Sequence, residues 1–210
     1  MNFYVDLSVT PEHCESLTSI CTKARSLGFK LIGINASLLK KCDIIGNDLT
    51  LIPRIVLEDT GVKDLRNKSR DLNGLVVVIV DKLTSLRHVP SIKNIDVIRI
   101  NPEMAKYIDK SQARLLSRTV KLLELPLPAF TSSKNNLYRF AIAIRRMHAY
   151  DIPYTLVSDA KNKHELWHPK MMKGLLELLG IPEPYSLMPI TSFPLRVLGK
   201  FVLKLQESHV

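Results

Sequence analysis

The chain has 210 residues, 46% of them hydrophobic and only 6% aromatic, so a sizeable core has to be built mainly from Leu, Ile and Val. Thirty Lys and Arg against twenty Asp and Glu give a net charge of +10, which favours a polyanionic partner, nucleic acid before an acidic membrane surface. The longest apolar run, Leu75 to Val80, is too short to span a bilayer, and the first residues lack the pattern of a signal peptide, so we expect a cytoplasmic protein with no membrane partner.

Apolar segments typical of β-strands recur at a fairly even spacing. They cover residues 2–9, 30–35, 51–57, 74–80, 95–100, 120–127, 153–158 and, more weakly, 186–191. Helical or mixed segments separate most of them, and this alternation indicates parallel strands joined by crossovers. Seven or eight such units predict an α/β, TIM-barrel-like (β/α) barrel with mostly parallel strands, and a doubly wound open sheet is the alternative. Since no linker or repeat interrupts the pattern, we expect a single domain over residues 1–210.

Three helices have clear end signals. Thr10 is a good N-cap and Pro11 suits a first helical position, so the first helix is predicted from there to Gly28. Two more are predicted. One is opened by Ser132 and Ser133 and runs to about Tyr150, and the other is opened by Pro169 and ended by Gly180. The three cysteines, Cys14, Cys21 and Cys42, include no Cys-x-x-Cys pair and are expected to be buried, reduced thiols.

Signals for a catalytic or metal site are sparse. Isolated carboxylates at predicted strand ends, among them Asp6, Asp81 and Asp159, more often cap the next helix than form an acid–base pair. His164 and His168 have the spacing that would place two ligands on one helical face, but the proline that follows disfavours a helix there. We therefore expect no metal and no cofactor on this chain. A barrel hydrolase that uses the three aspartates stays open as an alternative.

Basic residues are more informative, because they recur in successive segments. Residues 134–170 hold seven Lys and Arg against three Asp and Glu. Residues 155–172 include the loop after the seventh predicted strand, a place where barrels often bind phosphate. Backbone N–H groups just beyond Pro169, at a helix N-terminus, would favour an anion there. The recurrence predicts a shared positive surface that binds RNA phosphates.

Motifs spread over most of the chain follow the pattern of a known family. They are FYVDLSV (3–9), SLGFKLIGIN (26–35), LIPRIVLE (51–58), KLLELPL (121–127), SDA (158–160), LWHP (166–169), LLELLGI (175–181) and SFPLRVL (192–198). Together they resemble the archaeal ribonuclease P protein component 3 family, which is related to the thirty-kilodalton subunit of the eukaryotic enzyme. Arg54, Glu124 and Arg139 fall at family positions. The family usually has Arg where Trp167 stands, so Trp167 either stacks on an RNA base or packs within the fold.

The resemblance implies a barrel and a subunit of the ribonucleoprotein that removes 5′ leaders from precursor tRNA. In that family the RNA is the catalyst, so no active site is expected on this chain, and the Mg²⁺ is needed by the ribonucleoprotein. The implied partners are the ribonuclease P RNA, precursor tRNA indirectly, and a small protein subunit of the Pop-five type in a heterotetramer. The fold is also similar to that of polymerase-and-histidinol-phosphatase phosphoesterases. Their first strand carries His-x-His, whereas the corresponding position of this chain reads Tyr4-Val5-Asp6-Leu7-Ser8 and lacks those ligands.

Charge and resemblance together indicate which side chains bind RNA. The candidates are Arg54, Arg87, Arg114, Arg118, Arg139, Arg146, Lys161, Lys163, His164, His168 and Lys170. Two other functions remain as alternatives: a metal-dependent barrel phosphoesterase, and an RNA-binding subunit of another ribonucleoprotein.

Overall fold

The computed structural model describes residues 3–42 and 48–207, without the side chains of residues 200–207. The described strands are β1 (Tyr4–Val9), β2 (Phe29–Asn35), β3 (Thr50–Glu58), β4 (Leu75–Val80), β5 (Val97–Ile100), β6 (Leu122–Pro126) and β7 (Tyr154–Val157). The described α-helices are α1 (Cys14–Ser26), α2 (Ala36–Leu39), α3 (Val62–Lys68), α4 (Leu83–His88), α5 (Lys110–Leu116), α6 (Leu127–Thr131), α7 (Lys134–Ala149), α8 (Pro169–Leu178) and α9 (Ser192–Glu207). Short 3₁₀ helices cover Val89–Ser91, Pro102–Tyr107 and Met188–Ile190.

The seven strands form one parallel sheet in which each strand pairs with the next along the chain. The two edge strands meet just beyond β7, where Val9 pairs with Ala160. The Thr10 N–H donates to the Ala160 carbonyl at 2.8 Å, and the Asp159 N–H donates to the Ser8 carbonyl at 2.9 Å. The sheet is therefore curled into a nearly closed barrel. The predicted TIM-barrel-like fold is confirmed, and the doubly wound alternative is wrong.

The core is divided by the sheet into an outer and an inner part. In β4, for example, Val76 and Val78 pack under the helices, whereas Leu75 and Val77 belong to a cluster inside the barrel. This division follows from the period of two along a strand, and it explains why a strand buried on both faces is apolar throughout.

Helix α9 closes the barrel at the amino-terminal end of the strands. Its residues Val197 and Leu198 join the interior cluster that includes Val5, Leu31 and Val97. Val197 also lines a groove beside residues 93–96 and 119–121, the segments that lead into β5 and β6. The interior is therefore apolar and sealed at that end. None of the helices in the described ranges is long and apolar enough to cross a membrane.

Two predicted elements are wrong. The weak eighth strand over residues 186–191 contains a 3₁₀ helix, Met188–Ile190, with Pro189 inside it. A proline in that place has no N–H to donate to a neighbouring strand, and the chain turns instead of extending. The first helix begins at Cys14 rather than at Pro11, because Thr10 is used elsewhere: its hydroxyl donates to the Asp159 carbonyl at 2.9 Å.

The other two helix predictions are confirmed. Ser133 caps α7, where its hydroxyl accepts from the Asn136 N–H at 3.2 Å. Pro169 is the first residue of α8, and Gly180 follows its end with a φ of +89°, a conformation that glycine adopts without steric cost.

The cysteine prediction is wrong for two of the three residues. Cys14 and Cys42 form a disulfide, with their Cα atoms 5.5 Å apart. Cys14 opens α1 and Cys42 follows α2, and the fold brings these two places together although 28 positions separate them in the chain. Cys21 is a buried free thiol, as expected.

Candidate nucleic-acid interface and the barrel interior

An ion pair lies across the interior of the barrel. The Arg54 guanidinium, from β3, donates to the two carboxylate oxygens of Glu124, from β6, at 2.5 and 2.7 Å. The two side chains are only 3% and 0% exposed. Planar, bidentate pairing of this kind is the geometry that Arg favours with a carboxylate. Because Arg54 is enclosed and fully engaged, we no longer expect it to contact RNA.

Arg99 of β5 extends the pair into a network. Its guanidinium donates to Glu124 at 3.2 Å and to the Asp159 carboxylate at 2.9 Å, with a second, shorter bond to Asp159. The Ser8 hydroxyl donates to the same Asp159 carboxylate at 2.6 Å. Two arginines and two acids therefore balance in charge, and each of the four carboxylate oxygens accepts at least one hydrogen bond.

The sequence makes room for this network at Gly33. A Cβ atom at Gly33 would collide with the Leu7 carbonyl, so β1 can approach β2 this closely only if position 33 carries no side chain. The Leu7 carbonyl oxygen accepts a hydrogen bond from the Arg54 guanidinium at 2.9 Å. Arg54 is thereby held by β1 as well as by β6.

The Asp6 side chain links β1 to the residue that follows β7, where the two edge strands of the sheet meet. Its carboxylate accepts hydrogen bonds from the Ser158 N–H at 3.2 Å and from the Ser8 N–H at 3.1 Å. Full burial raises the pKa of the Asp6 carboxyl to about 7, against the lowering effect of the hydrogen bonds from Ser158 and Ser8. The Asp6 carboxylate thus accepts the hydrogen bond from the Ser158 N–H that a backbone carbonyl of a neighbouring strand would otherwise accept.

This arrangement suits a structural role better than catalysis. Asp6 is held by backbone N–H groups and Asp159 by Arg99, while Asp81 is exposed after β4, so the three aspartates of the hydrolase alternative are not assembled as free ligands. Across residues 3–42 and 48–207, no group of three His, Cys, Asp or Glu side chains is placed to hold a metal ion.

Sequence reasoning missed Arg99, although a signal was present. Arg99 is the charged residue of an otherwise apolar strand, Val97–Ile100, and lies two positions after the inward-facing Val97. A period of two therefore directs it into the barrel. In the parallel register of β5 and β6, Arg99 lies opposite Glu124.

Three further predicted RNA-binding arginines, besides Arg54, bind the protein itself. Arg87 donates to the Asp109 carboxylate at 2.9 and 2.6 Å, which ties α4 to α5. Arg139 donates to Glu103 at 2.7 Å. Arg146 donates to two backbone carbonyls, of Lys106 at 2.8 Å and Ile108 at 3.3 Å. By contrast, Arg114 and Arg118 are exposed and have no ion pair among the described residues.

The loop between β7 and α8 presents its cations to solvent. Lys161, Lys163 and His164 are exposed, and so is Lys170 in the first turn of α8. Hydrogen bonds between residues of the loop stabilise its conformation, because the Glu165 carboxylate accepts from the Lys161 N–H at 2.9 Å and from the Asn162 amide at 2.6 Å. Asp159 begins the loop in a left-handed conformation, φ 50°, which Asp tolerates better than most residues.

His168 caps α8 instead of leaving its N-terminus open. Its Nδ1 accepts from the Lys170 N–H at 3.1 Å, and its carbonyl accepts from the Met171 N–H at 2.9 Å. The expected anion site on these N–H groups is therefore occupied by the protein's own acceptors. Trp167, the other uncertain residue of this segment, is partly buried and packs against the hydrophobic core.

Comparison with known proteins gives three results. No family model matches the chain. A curated protein, ribonuclease P protein component 3 of Aeropyrum pernix, is 28% identical over 205 residues, which cover 92% of this chain and 96% of that protein. A chain in the cryo-EM structure of archaeal ribonuclease P with mature tRNA matches with a TM-score of 0.70 at 17% identity, over 92% of this chain and 89% of that chain, and so shares the fold. The similarity indicated by the sequence motifs is confirmed.

Proposed function

We propose that this chain is a protein subunit of ribonuclease P that binds the catalytic RNA and supports removal of 5′ leaders from precursor tRNA. The observation that carries the proposal is the similarity to the Aeropyrum pernix component, which extends over 92% of this chain and 96% of its relative. The net charge of +10 and the exposed lysines and arginines are consistent with an RNA partner.

In this proposal the protein acts through charge rather than through chemistry of its own. RNA segments that converge in a folded ribozyme repel one another through their phosphates. Lys and Arg side chains placed between such segments neutralise the phosphates and lower the Mg²⁺ concentration that the ribonucleoprotein needs for folding and cleavage. The RNA performs the cleavage, and we propose that the chain itself holds neither an active site nor a cofactor. The engagement of Glu124 and Asp159 by Arg54 and Arg99 supports this view.

The proposed partners are the ribonuclease P RNA, precursor tRNA through that RNA, and a small protein subunit of the Pop-five type. With the latter we propose a heterotetramer in the cytoplasm. Co-expression followed by light scattering tests the assembly: a complex whose mass equals two copies of each chain supports it, and a stable 1:1 complex contradicts the heterotetramer.

The most direct test of the function is the RNA that the protein carries. The chain is tagged at its own locus, purified under native conditions, and the bound RNA is sequenced. We expect strong enrichment of the ribonuclease P RNA over an untagged control. Enrichment of a different RNA would favour a subunit of another ribonucleoprotein. Metal-dependent phosphatase or nuclease activity of the RNA-free protein, abolished by Asp6→Asn, would favour the hydrolase instead.

A further inference from the structure

Most of the excess positive charge lies at one end of the barrel. Each crossover helix runs antiparallel to the strands, so its last turn and its connection to the next strand lie at the amino-terminal end of the barrel. Five helices, α1, α3, α4, α5 and α7, reach the next strand through connections that are described in full. We define the amino-terminal rim as the segments from the last turn of these helices to the residue before the next strand. They are residues 23–28, 65–74, 85–96, 113–121 and 146–153.

The amino-terminal rim holds eleven Lys and Arg but only three Asp and Glu, so its net charge is +8 of the chain's +10. At the opposite end we define the carboxyl-terminal face as the segments that follow the strands, up to the first turn of the next long helix. They are residues 10–17, 36–39, 59–65, 81–86, 101–113, 127–137 and 158–172. These hold eight Lys against nine Asp and Glu. The end where barrel enzymes keep their active sites is thus nearly neutral here.

Favourable interaction with the helix dipole accounts for part of this pattern, since cations stabilise the last turn of a helix. Internal pairing accounts for a further four residues. Lys68 pairs with Asp64, Arg87 pairs with Asp109, and Arg146 and Lys121 donate to backbone carbonyls. Seven cations of the rim have no ion pair within the described part of the chain. They are Lys23, Arg25, Arg66, Arg70, Lys93, Arg114 and Arg118.

A groove of about 410 Å³ lies on one side of this end. It lies between α9 and the segments that lead into β5 and β6, and it brings Lys93 together with Arg196 of α9. Both side chains are exposed, and Val120, also on the groove, is 72% exposed. Cations from separate elements around one concavity are suited to a backbone with closely spaced phosphates.

We propose that the amino-terminal rim, together with the groove between α9 and the segments that lead into β5 and β6, is the surface that binds the RNA backbone. This inference rests on the proposed function, that the chain binds ribonuclease P RNA, and adds the surface that does so. It assigns the main contacts to Lys93, Arg114, Arg118 and Arg196. The loop between β7 and α8 and the first turn of α8, at the other end, are then minor contributors in spite of Lys161, Lys163 and Lys170.

The test compares two variants with equal changes in charge. The rim variant is Lys93→Glu, Arg114→Glu and Arg118→Glu combined, and the matched control is Lys161→Glu, Lys163→Glu and Lys170→Glu combined. Binding of each full-length chain to a transcript of the organism's own ribonuclease P RNA is titrated at several salt concentrations. We expect the rim variant to lose at least about tenfold in affinity and about two to three in the slope of log K against log salt, because phosphate contacts release counterions. The control is expected to lose less than about threefold.

The outcomes distinguish failure of the assigned surface from failure of the proposed function. An equal or larger loss in the control variant overturns the assignment of the surface. A rim variant that binds as the wild type does also overturns it, while leaving the proposed function intact. Failure of the wild-type chain to bind the transcript overturns direct binding by the rim, and if the native protein also carries no ribonuclease P RNA, the proposed function fails with it.

A second measurement needs no variant. Lysines of the wild-type chain are acetylated with and without the transcript, and protection is read by mass spectrometry. We expect Lys23 and Lys93 to be protected and Lys161, Lys163 and Lys170 to stay reactive. The reverse order of protection overturns the proposal, and so does protection of Lys93 by a protein subunit but not by RNA.

Discussion

Arg54 and Glu124 stand on opposite sides of the barrel, on β3 and β6, and their side chains meet in its interior through hydrogen bonds of 2.5 and 2.7 Å. Three strand-to-strand steps separate them along the sheet. The bond therefore holds together parts of the wall that no backbone pairing connects.

Removing one partner of this pair should be costly. In Glu124→Gln the buried Arg54 loses its counter-charge, and breaking a buried pair in this way costs about 3–5 kcal/mol of folding free energy. The measurement is urea unfolding followed by circular dichroism. Lys68→Met, which breaks an exposed pair at 2.7 Å, serves as control and should unfold at nearly the same urea concentration as the wild type. Equal midpoints for all three proteins would contradict a supporting role for Arg54 and Glu124.

Asp6 predicts a pH dependence of stability. Burial raises the pKa of its carboxyl from 3.8 to about 7, so the folded protein binds this proton more tightly than the unfolded chain does. The stabilising contribution is complete below the unfolded pKa, is lost as the pH rises from there to about 7, and changes no further above it. The slope in this window should not exceed about 1.4 kcal/mol per pH unit.

Asp6→Asn removes the titrating group and should flatten the curve of unfolding free energy against pH between about 4.5 and 7. Asp109→Asn is the control, because the hydrogen bond from Arg87 lowers the pKa of that carboxyl to about 2, outside the window. The expectation for Asp109→Asn is a slope equal to that of the wild type. A slope that persists in Asp6→Asn would show that another group is responsible.

The disulfide between Cys14 and Cys42 closes a loop of 28 positions. In the chain-entropy model such a loop stabilises the folded state by about 3.5 kcal/mol, because the cross-link restricts the unfolded chain. Cys14→Ser combined with Cys42→Ser should lower the unfolding free energy by about that amount, and Cys21→Ala, with the disulfide intact, separates this effect from loss of a thiol. Thiol titration of the unfolded wild type without reductant should find one thiol. Three thiols would contradict the disulfide.

His168 is expected to act on stability rather than on RNA affinity. His168→Ala removes the acceptor for the Lys170 N–H and should cost about 1 kcal/mol in unfolding free energy, as the loss of an N-cap does. His168→Asn keeps an acceptor in that place and should recover most of the loss. His164→Ala is the neighbouring control, because among the described residues its hydrogen bond is made by the backbone N–H, which donates to Asn162 at 2.9 Å and which the substitution keeps. If His168→Ala lowered RNA affinity while stability stayed unchanged, the capping role would be refuted.

The sequence was sufficient for the seven strands, because apolar runs between helical segments are a local property of the chain. It was not sufficient for the direction of each side chain in those strands. Arg54 was predicted to bind RNA, yet the fold encloses it. Arg99 was missed because its partners, Glu124 and Asp159, come from distant segments. The pairing of Cys14 with Cys42 likewise depends on where α1 and α2 meet, which no spacing reveals.

The distribution of charge over the surface also could not be predicted from the sequence alone. Counting Lys and Arg along the chain identified residues 134–170 as basic, yet that range runs from one end of the barrel to the other and back. Only the topology separates its members, since Arg146 ends a helix at the amino-terminal rim whereas Lys161 and Lys163 lie at the carboxyl-terminal face. The candidate residues were therefore a mixture of two surfaces and the interior.

The position of α9 has a consequence for folding of the chain during its synthesis. Val197 and Leu198, which complete the apolar interior, follow all seven strands in order of synthesis. In a nascent chain that has emerged from the ribosome only as far as β7, α9 does not yet cover the amino-terminal end of the barrel, and the apolar residues there are exposed to water. The groove that Lys93 shares with Arg196 does not exist at that stage. An RNA that requires the groove for binding would therefore bind the completed chain and not the incomplete one.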